Sequence, residues 1–208
     1  FEEQQWSHAA VAFERAIALW NMHGQRAFAA SGWRGLARVR WGQGDCAVAI
    51  ACYERAIALY EESDEAVQRA IACIGLGGLY AGQGTPQRAL PWLAQAEAVL
   101  LPIQDHYHLA MLYTNYGIVH RMVGEWQAAT VALHKSLAYY ADLGDLARQV
   151  NVLTELATVY VQAGVETAAR QTLTQAQSLL AALPDWPVAT YYQTLIAQME
   201  QALAHPDR

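Results

Sequence analysis

No apolar run in this sequence approaches the roughly 18 uninterrupted residues that a membrane-spanning helix needs, although 54% of its 208 residues are hydrophobic. The apolar side chains are dispersed, as they are in a folded core. Membrane insertion is therefore not expected. A basic surplus is also missing: 13 Lys and Arg face 19 Asp and Glu, for a net charge of −6. A phosphate-tracking surface neutralises backbone charge with Lys and Arg, so nucleic acid is not an expected partner of this segment. Cysteine is scarce. Cys46, Cys52 and Cys73 are odd in number and form no CxxC pair, which points to inert buried thiols in a reducing cytoplasm. The first residue is Phe1 rather than Met and no charged-then-apolar leader follows. The chain thus reads as a piece of a longer polypeptide.

Catalytic constellations are absent as well. GQG occurs at 42–44 and again at 82–84, but no GK[ST] follows, so these read as glycines ending helices rather than as a phosphate loop. In DHYH, His106 and His108 would point to different faces of a helix and no third ligand is near. EESDE at 61–65 lacks the alternating ligands of a calcium loop and reads as a solvated turn. With no nucleophile and base in a recognisable pattern, the expectation is a non-enzymatic protein without metal or cofactor.

What the sequence does contain is periodicity. FERAIALW at 13–20 returns as YERAIALY at 53–60, and a shift of 40 aligns Gly44, Gly84, Gly124 and Gly164. Five residues after each glycine stands Ala49, Ala89, Ala129 or Ala169, with Ala9 one period upstream. A bulky column follows at Phe13, Tyr53, Leu93, Leu133 and Leu173, then Ala16, Ala56, Ala96, Ser136 and Ala176. Spacings of three and four place these on one helical face. Upstream of each glycine a first-type helix carries Leu36, Leu76, Tyr116 and Leu156 ahead of the small residues Ala37, Gly77, Gly117 and Ala157. Each period thus holds two helices, with Asp45, Thr85, Ser63-Asp64, Asp105 and Asp145 as expected N-terminal caps and Pro86 at the first helical position. Ten helices are predicted, near 5–21, 26–42, 46–61, 65–82, 86–101, 106–123, 126–142, 146–163, 166–182 and 188–204.

These columns resemble the tetratricopeptide repeat family, with its W-x2-L-G-x2-Y and A-x3-F-x2-A pattern. Trp33, Leu36, Ala37, Ala49, Tyr53 and Ala56 carry it in one period, and Leu76, Gly77, Tyr80, Ala89, Leu93 and Ala96 in the next. The period departs from the usual one of about 34 residues, and is similar to the long repeats of kinesin light chains and of bacterial regulatory proteins. The resemblance implies an all-α fold: an α-solenoid of antiparallel helix pairs forming a right-handed superhelix with a concave groove. It would be a single domain over 1–208, with a half repeat at 5–21, repeats near 26–61, 65–101, 106–142 and 146–182, and a cap helix at 188–204.

The implied function is a protein- or peptide-binding scaffold within a larger regulatory protein. The alternative is a small-effector-sensing module of an ATP-dependent transcriptional regulator. By register, the resemblance assigns the groove to Arg34, Arg38 and Trp41, to Ile74, Gly75, Gly78 and Gly82, to Asn115, Ile118 and Arg121, and to Asn151 and Thr158, with Glu155 on the same face. Gly75, Gly78 and Gly82 cost about 1 kcal/mol each relative to Ala within a helix. Two explanations stand open: close approach of a ligand, or bulk from a neighbour such as Trp41. The unpaired helix at 5–21 exposes an apolar face, and self-association through it is a further expectation.

Overall fold

The computed structural model describes residues 2–204, with side chains from residue 5. Ten helices succeed one another: α1 (Glu2–Met22), α2 (Arg26–Gly42), α3 (Cys46–Glu62), α4 (Ala66–Gly82), α5 (Pro86–Leu100), α6 (His106–Met122), α7 (Trp126–Asp142), α8 (Leu146–Gln162), α9 (Glu166–Ala181) and α10 (Ala189–Ala204). No strand occurs among the described residues. The chain falls into two compact units, Phe1–Ile103 and Gln104–Arg208. In the first unit α2 pairs with α3 and α4 with α5, while α1 packs on α2. In the second α6 pairs with α7 and α8 with α9, and α10 closes against α8 and α9.

The turns repeat twice as often as the sequence columns suggest. Gly24, Gly44, Gly84, Gly124, Gly144 and Gly164 have positive φ, and the interleaved positions 64 and 104 hold Asp64 (φ 56°) and Gln104 (φ 55°). A left-handed residue therefore recurs every 20 residues from 24 to 164, one after each of α1 to α8. Glycine suits it because no Cβ meets the following carbonyl. The next amide then closes the helix end, as in Asp45 N–H to Arg40 O (2.9 Å), Glu65 to Tyr60 (2.9 Å) and Asp145 to Tyr140 (3.0 Å). The two GQG segments serve this purpose, with Gly44 and Gly84 as the left-handed residues.

Helix starts are less uniform. Asp105 and Asp145 cap as expected, accepting from the amides of His108 (3.2 Å) and Arg148 (3.0 Å). Asp45 and Thr85 occupy N-cap positions without a side-chain cap bond. Asp45 lies instead 3.8 Å from Arg40, and the Thr85 hydroxyl donates to Tyr80 O. Glu65, not Ser63 or Asp64, precedes α4.

The periodic columns form the core. Ala49, Tyr53 and Ala56 of α3, Ala89, Leu93 and Ala96 of α5, Ala129, Leu133 and Ser136 of α7, and Ala169, Leu173 and Ala176 of α9 are all buried. A Cβ on Gly77 would sit 2.7 Å from Leu93, and one on Gly117 would collide with Leu133. The small column thus receives the bulky side chain of its own helix pair. In α1 the same columns are less covered: Ala9, Phe13 and Ala16 are only half-buried, and Leu19 is 57% exposed where Leu59 of α3 is 4%.

Candidate functional site

The first-type helices carry the residues assigned to the groove, and each unit is best taken separately. In the first unit, Arg34 and Arg38 stand one turn apart on α2, half-buried and exposed respectively. The Arg34 guanidinium lies over the Tyr60 ring, 6.0 Å from its centre. Ion pairs elsewhere in this unit join Arg26 to Glu62, Arg40 to Glu14 and Asp45, and Arg69 to Glu61. Arg34 and Arg38 form none among the described residues. Burial pushes the Tyr53 phenol up from its ordinary range, while the positive charges of Arg38 and Arg34 pull against it. The bulky column residue of α3 therefore lies within the field of both arginines. Sequence reasoning treated Tyr53 as a core knob alone.

Of the three glycines assigned to the groove on α4, Gly75 has a packing explanation. The Tyr53 ring fills the space beside Gly75, where a Cβ would come within 2.6 Å of it. Trp41 lies against Gly82, 3.4 Å from a Cβ built there, an ordinary contact. Gly35 does the same for Phe13 as Gly75 does for Tyr53. Ile74 is 1% exposed, which corrects its assignment to the groove: it faces into the helix pair. Gly78 is half-buried. A signal for this arrangement was present in the sequence. Glycine stands 22 positions after an aromatic knob at 13/35 and 53/75, whereas Leu133 is followed at 155 by glutamate.

In the second unit the assigned residues are largely satisfied from within. Arg121 Nε is 3.5 Å from Glu155 Oε2, and its Nη1 donates to Gln162 at 3.5 Å. Burial pushes the Glu155 carboxyl up and Arg121 opposes that. Asn115 donates to Met111 O (3.0 Å), Thr158 to Thr154 O (2.8 Å), and Asn151 to the Tyr192 hydroxyl (2.8 Å). Ile118 is half-buried. The DHYH histidines diverge: His108 Nδ1 bonds Asp105 at 2.8 Å, while His106 lies against Tyr139. Among the described residues no group of three His, Cys, Asp or Glu could hold a metal. No helix there is long and apolar enough to cross a membrane. Cys46, Cys52 and Cys73 are free, and burial pushes the Cys73 thiol up to about 11.

Paired helices closed by regular left-handed turns, with small residues receiving large ones, define an all-α helical-repeat protein. Residues 28–101 match the tetratricopeptide repeat family, and the fold of the chain is that of TPR-like proteins. It superimposes on BtubC (BKLC) from P. vanneervenii with a TM-score of 0.76 at 19% identity, covering 89% of this chain and 77% of that one. A Rap protein complexed with Competence and Sporulation Factor gives 0.80 at 16% identity, covering 94% of this chain. The chain spans 54% of that Rap protein's length. The nearly identical TPR-like repeats of a kinesin light chain from Podosopora anserina give 0.67 at 20% identity, over 89% and 92%. No curated protein matches the chain significantly.

Proposed function

We propose that the chain is a non-enzymatic scaffold segment of a larger cytoplasmic regulatory protein, and that it binds a protein or peptide on the first-type helices of its first unit. This fold commonly serves protein interaction. One observation carries the choice of face: among the described residues Arg34 and Arg38 stand together on a first-type helix without a carboxylate partner, while Arg26, Arg40 and Arg69, the other arginines of the unit's first-type helices, are ion-paired. Unpaired guanidinium groups on a rigid helix are preorganised to orient a ligand. The test is affinity capture from cells with wild type and with Arg34→Glu/Arg38→Glu. A partner retained equally by both proteins would count against this face.

A second reading is an effector-sensing module of an ATP-dependent transcriptional regulator. It draws on the polar cluster of Arg121, Glu155 and Gln162 in the second unit. Protection of that unit from proteolysis by a metabolite extract, lost in Glu155→Gln, is the expected outcome. Self-association draws on the under-covered columns of α1. Sedimentation should then show a dimer that Leu19→Glu converts to monomer.

A further inference from the structure

Two helix faces lie uncovered, and they are opposite halves of one contact. α10 sits as a first-type helix: its Tyr192 hydroxyl accepts from Asn151, the same step of 41 residues by which Arg121 reaches Gln162 between α6 and α8. It packs on α8 and α9 as α8 packs on α6 and α7. In register, Ile196 and Ala197 follow Leu156 and Ala157. Ile196 is buried, but Ala197 is exposed, where Ala37 and Ala157 are fully buried. An open groove of about 220 Å³ lies there, bordered by Leu180 and Ala181 of α9 and by Ile196 and Ala197 of α10. α10 thus presents a small column that receives no bulky side chain. α1 shows the converse. It carries the second-type columns, yet Ala12 and Leu19 are exposed where Cys52 and Leu59 of α3 are buried. Among the described residues no helix covers α1 as α2 covers α3.

Deepening the self-association reading above, we propose that each of these faces is filled by the other on a second copy of the chain, so that α1 of one copy packs on α10 of the next as α3 packs on α2. With a period of 40, Ala9 of the second copy continues the column of Ala129 and Ala169. Contacts made within the existing pairs then transfer to the junction. Leu93 against Gly77 and Leu133 against Gly117 become Phe13 against Ala197. The Ser31 and Tyr60 hydroxyls, 2.8 Å apart, become Tyr191 and Trp20, which gives the 63% exposed Tyr191 a ring to pack on. Arg88 donating to Tyr80 at 2.9 Å becomes His8 facing Glu200, a ring N–H opposite a carboxylate. A helix pair in such an array does not bury its apolar face alone, and stacking on a neighbour completes it. A symmetric dimer through α1 brings two bulky columns together and leaves Ala197 open. The junction proposed here is heterologous, so two joined copies still present one unused face of each kind and growth does not stop at two.

The experiment is sedimentation velocity on the 208-residue protein over a series of concentrations, with two variants at exposed positions, Leu19→Glu on α1 and Ala197→Glu on α10. The average mass of wild type should climb past that of a dimer. Each variant alone should lose about a hundredfold in association constant, since each buries a charge without a partner. Mixed together, they should form a one-to-one dimer and nothing larger, because one intact face of each kind remains between them. His8→Glu should weaken association about fivefold, and Glu200→Lys in the same chain should restore it. Circular dichroism checks that the helices persist; Tyr191→Glu carries the same expectation if Ala197→Glu disturbs α10. A discrete dimer that survives Ala197→Glu, or variants that stay monomeric when mixed while wild type associates, would overturn the proposal and leave self-association through α1 standing. A monomeric wild type at every concentration would overturn both, without touching the peptide-binding reading.

Discussion

The two units are built to one register and use their first-type helices differently. In the first, aromatic knobs reach between helices: Tyr53 fills the space beside Gly75, and Phe13 that beside Gly35. Two arginines are left without acids. In the second, the knob positions hold leucine, position 155 holds glutamate, and Arg121 is neutralised by it at 3.5 Å. One side-chain exchange thus has a mechanical and an electrostatic result. An aromatic knob demands a bare helix position, whereas a leucine knob leaves position 155 free to carry the acid that pairs with Arg121, a residue whose counterpart two periods back is Trp41.

Breaking that complementarity should have the largest effect. Gly75→Leu forces a side chain into the Tyr53 ring and should cost about 3 kcal/mol by overpacking, read as a lower denaturant midpoint. Adding Tyr53→Leu should recover part of this, with a coupling of at least about 1 kcal/mol in a double-mutant cycle. By the same equivalence, Leu133→Tyr in the second unit should be tolerated only together with Glu155→Gly.

Next in size is the ion pair. Arg121→Leu leaves the Glu155 carboxylate half-buried without its cation and should cost about 1–2 kcal/mol at neutral pH, discounted for its partial exposure. The sign with pH follows from the raised carboxyl. Protonated Glu155 is favoured in the folded state, so its stabilising share is complete below the ordinary carboxylate range and is lost as pH rises through the folded value. Glu155→Gln should flatten thermal stability above the ordinary carboxylate range relative to wild type, and Arg121→Leu should steepen its decline.

The caps sharpen the comparison further. Asp105 accepts from the His108 amide, so Asp105→Ala should cost about 1 kcal/mol. Burial alone would raise the Asp105 carboxyl, but the bonds from the His108 side chain and amide hold it below the usual range. That contribution is therefore present above the ordinary carboxylate value and vanishes as pH falls through the folded one. Asp45→Ala in the first unit removes no cap bond and should stay within about 0.5 kcal/mol. Smallest of all, Asp64→Gly relieves a left-handed residue with a Cβ but frees the unfolded chain, and should raise stability by about 0.3 kcal/mol at most.

Most of the helical framework was legible because burial columns at spacings of three and four leave a mark in a single chain. The ten helix positions agree to within about three residues at each end. Contacts between successive pairs were harder to read. Tyr53 meets Gly75 across 22 residues and Arg121 meets Glu155 across 34, distances that helical periodicity does not encode. Ile74 was misplaced for a related reason: register alone does not tell a residue lining an open face from its neighbour that turns into the pair. Asp45 shows that residue type at a helix start does not ensure the bond, since its carboxylate lies near Arg40.

The left-handed residue that recurs every 20 positions also sets rules for changing the chain's length. Removing residues 46–85 would join Asp45 to Pro86, taking out two helices and keeping first-type and second-type helices in alternation. Removing only residues 46–65 would leave every remaining turn geometrically sound, yet place two first-type helices in succession, with small columns meeting and no knob between them. Length changes in steps of 40 should therefore be silent, and steps of 20 should be lethal to the fold without breaking a single turn.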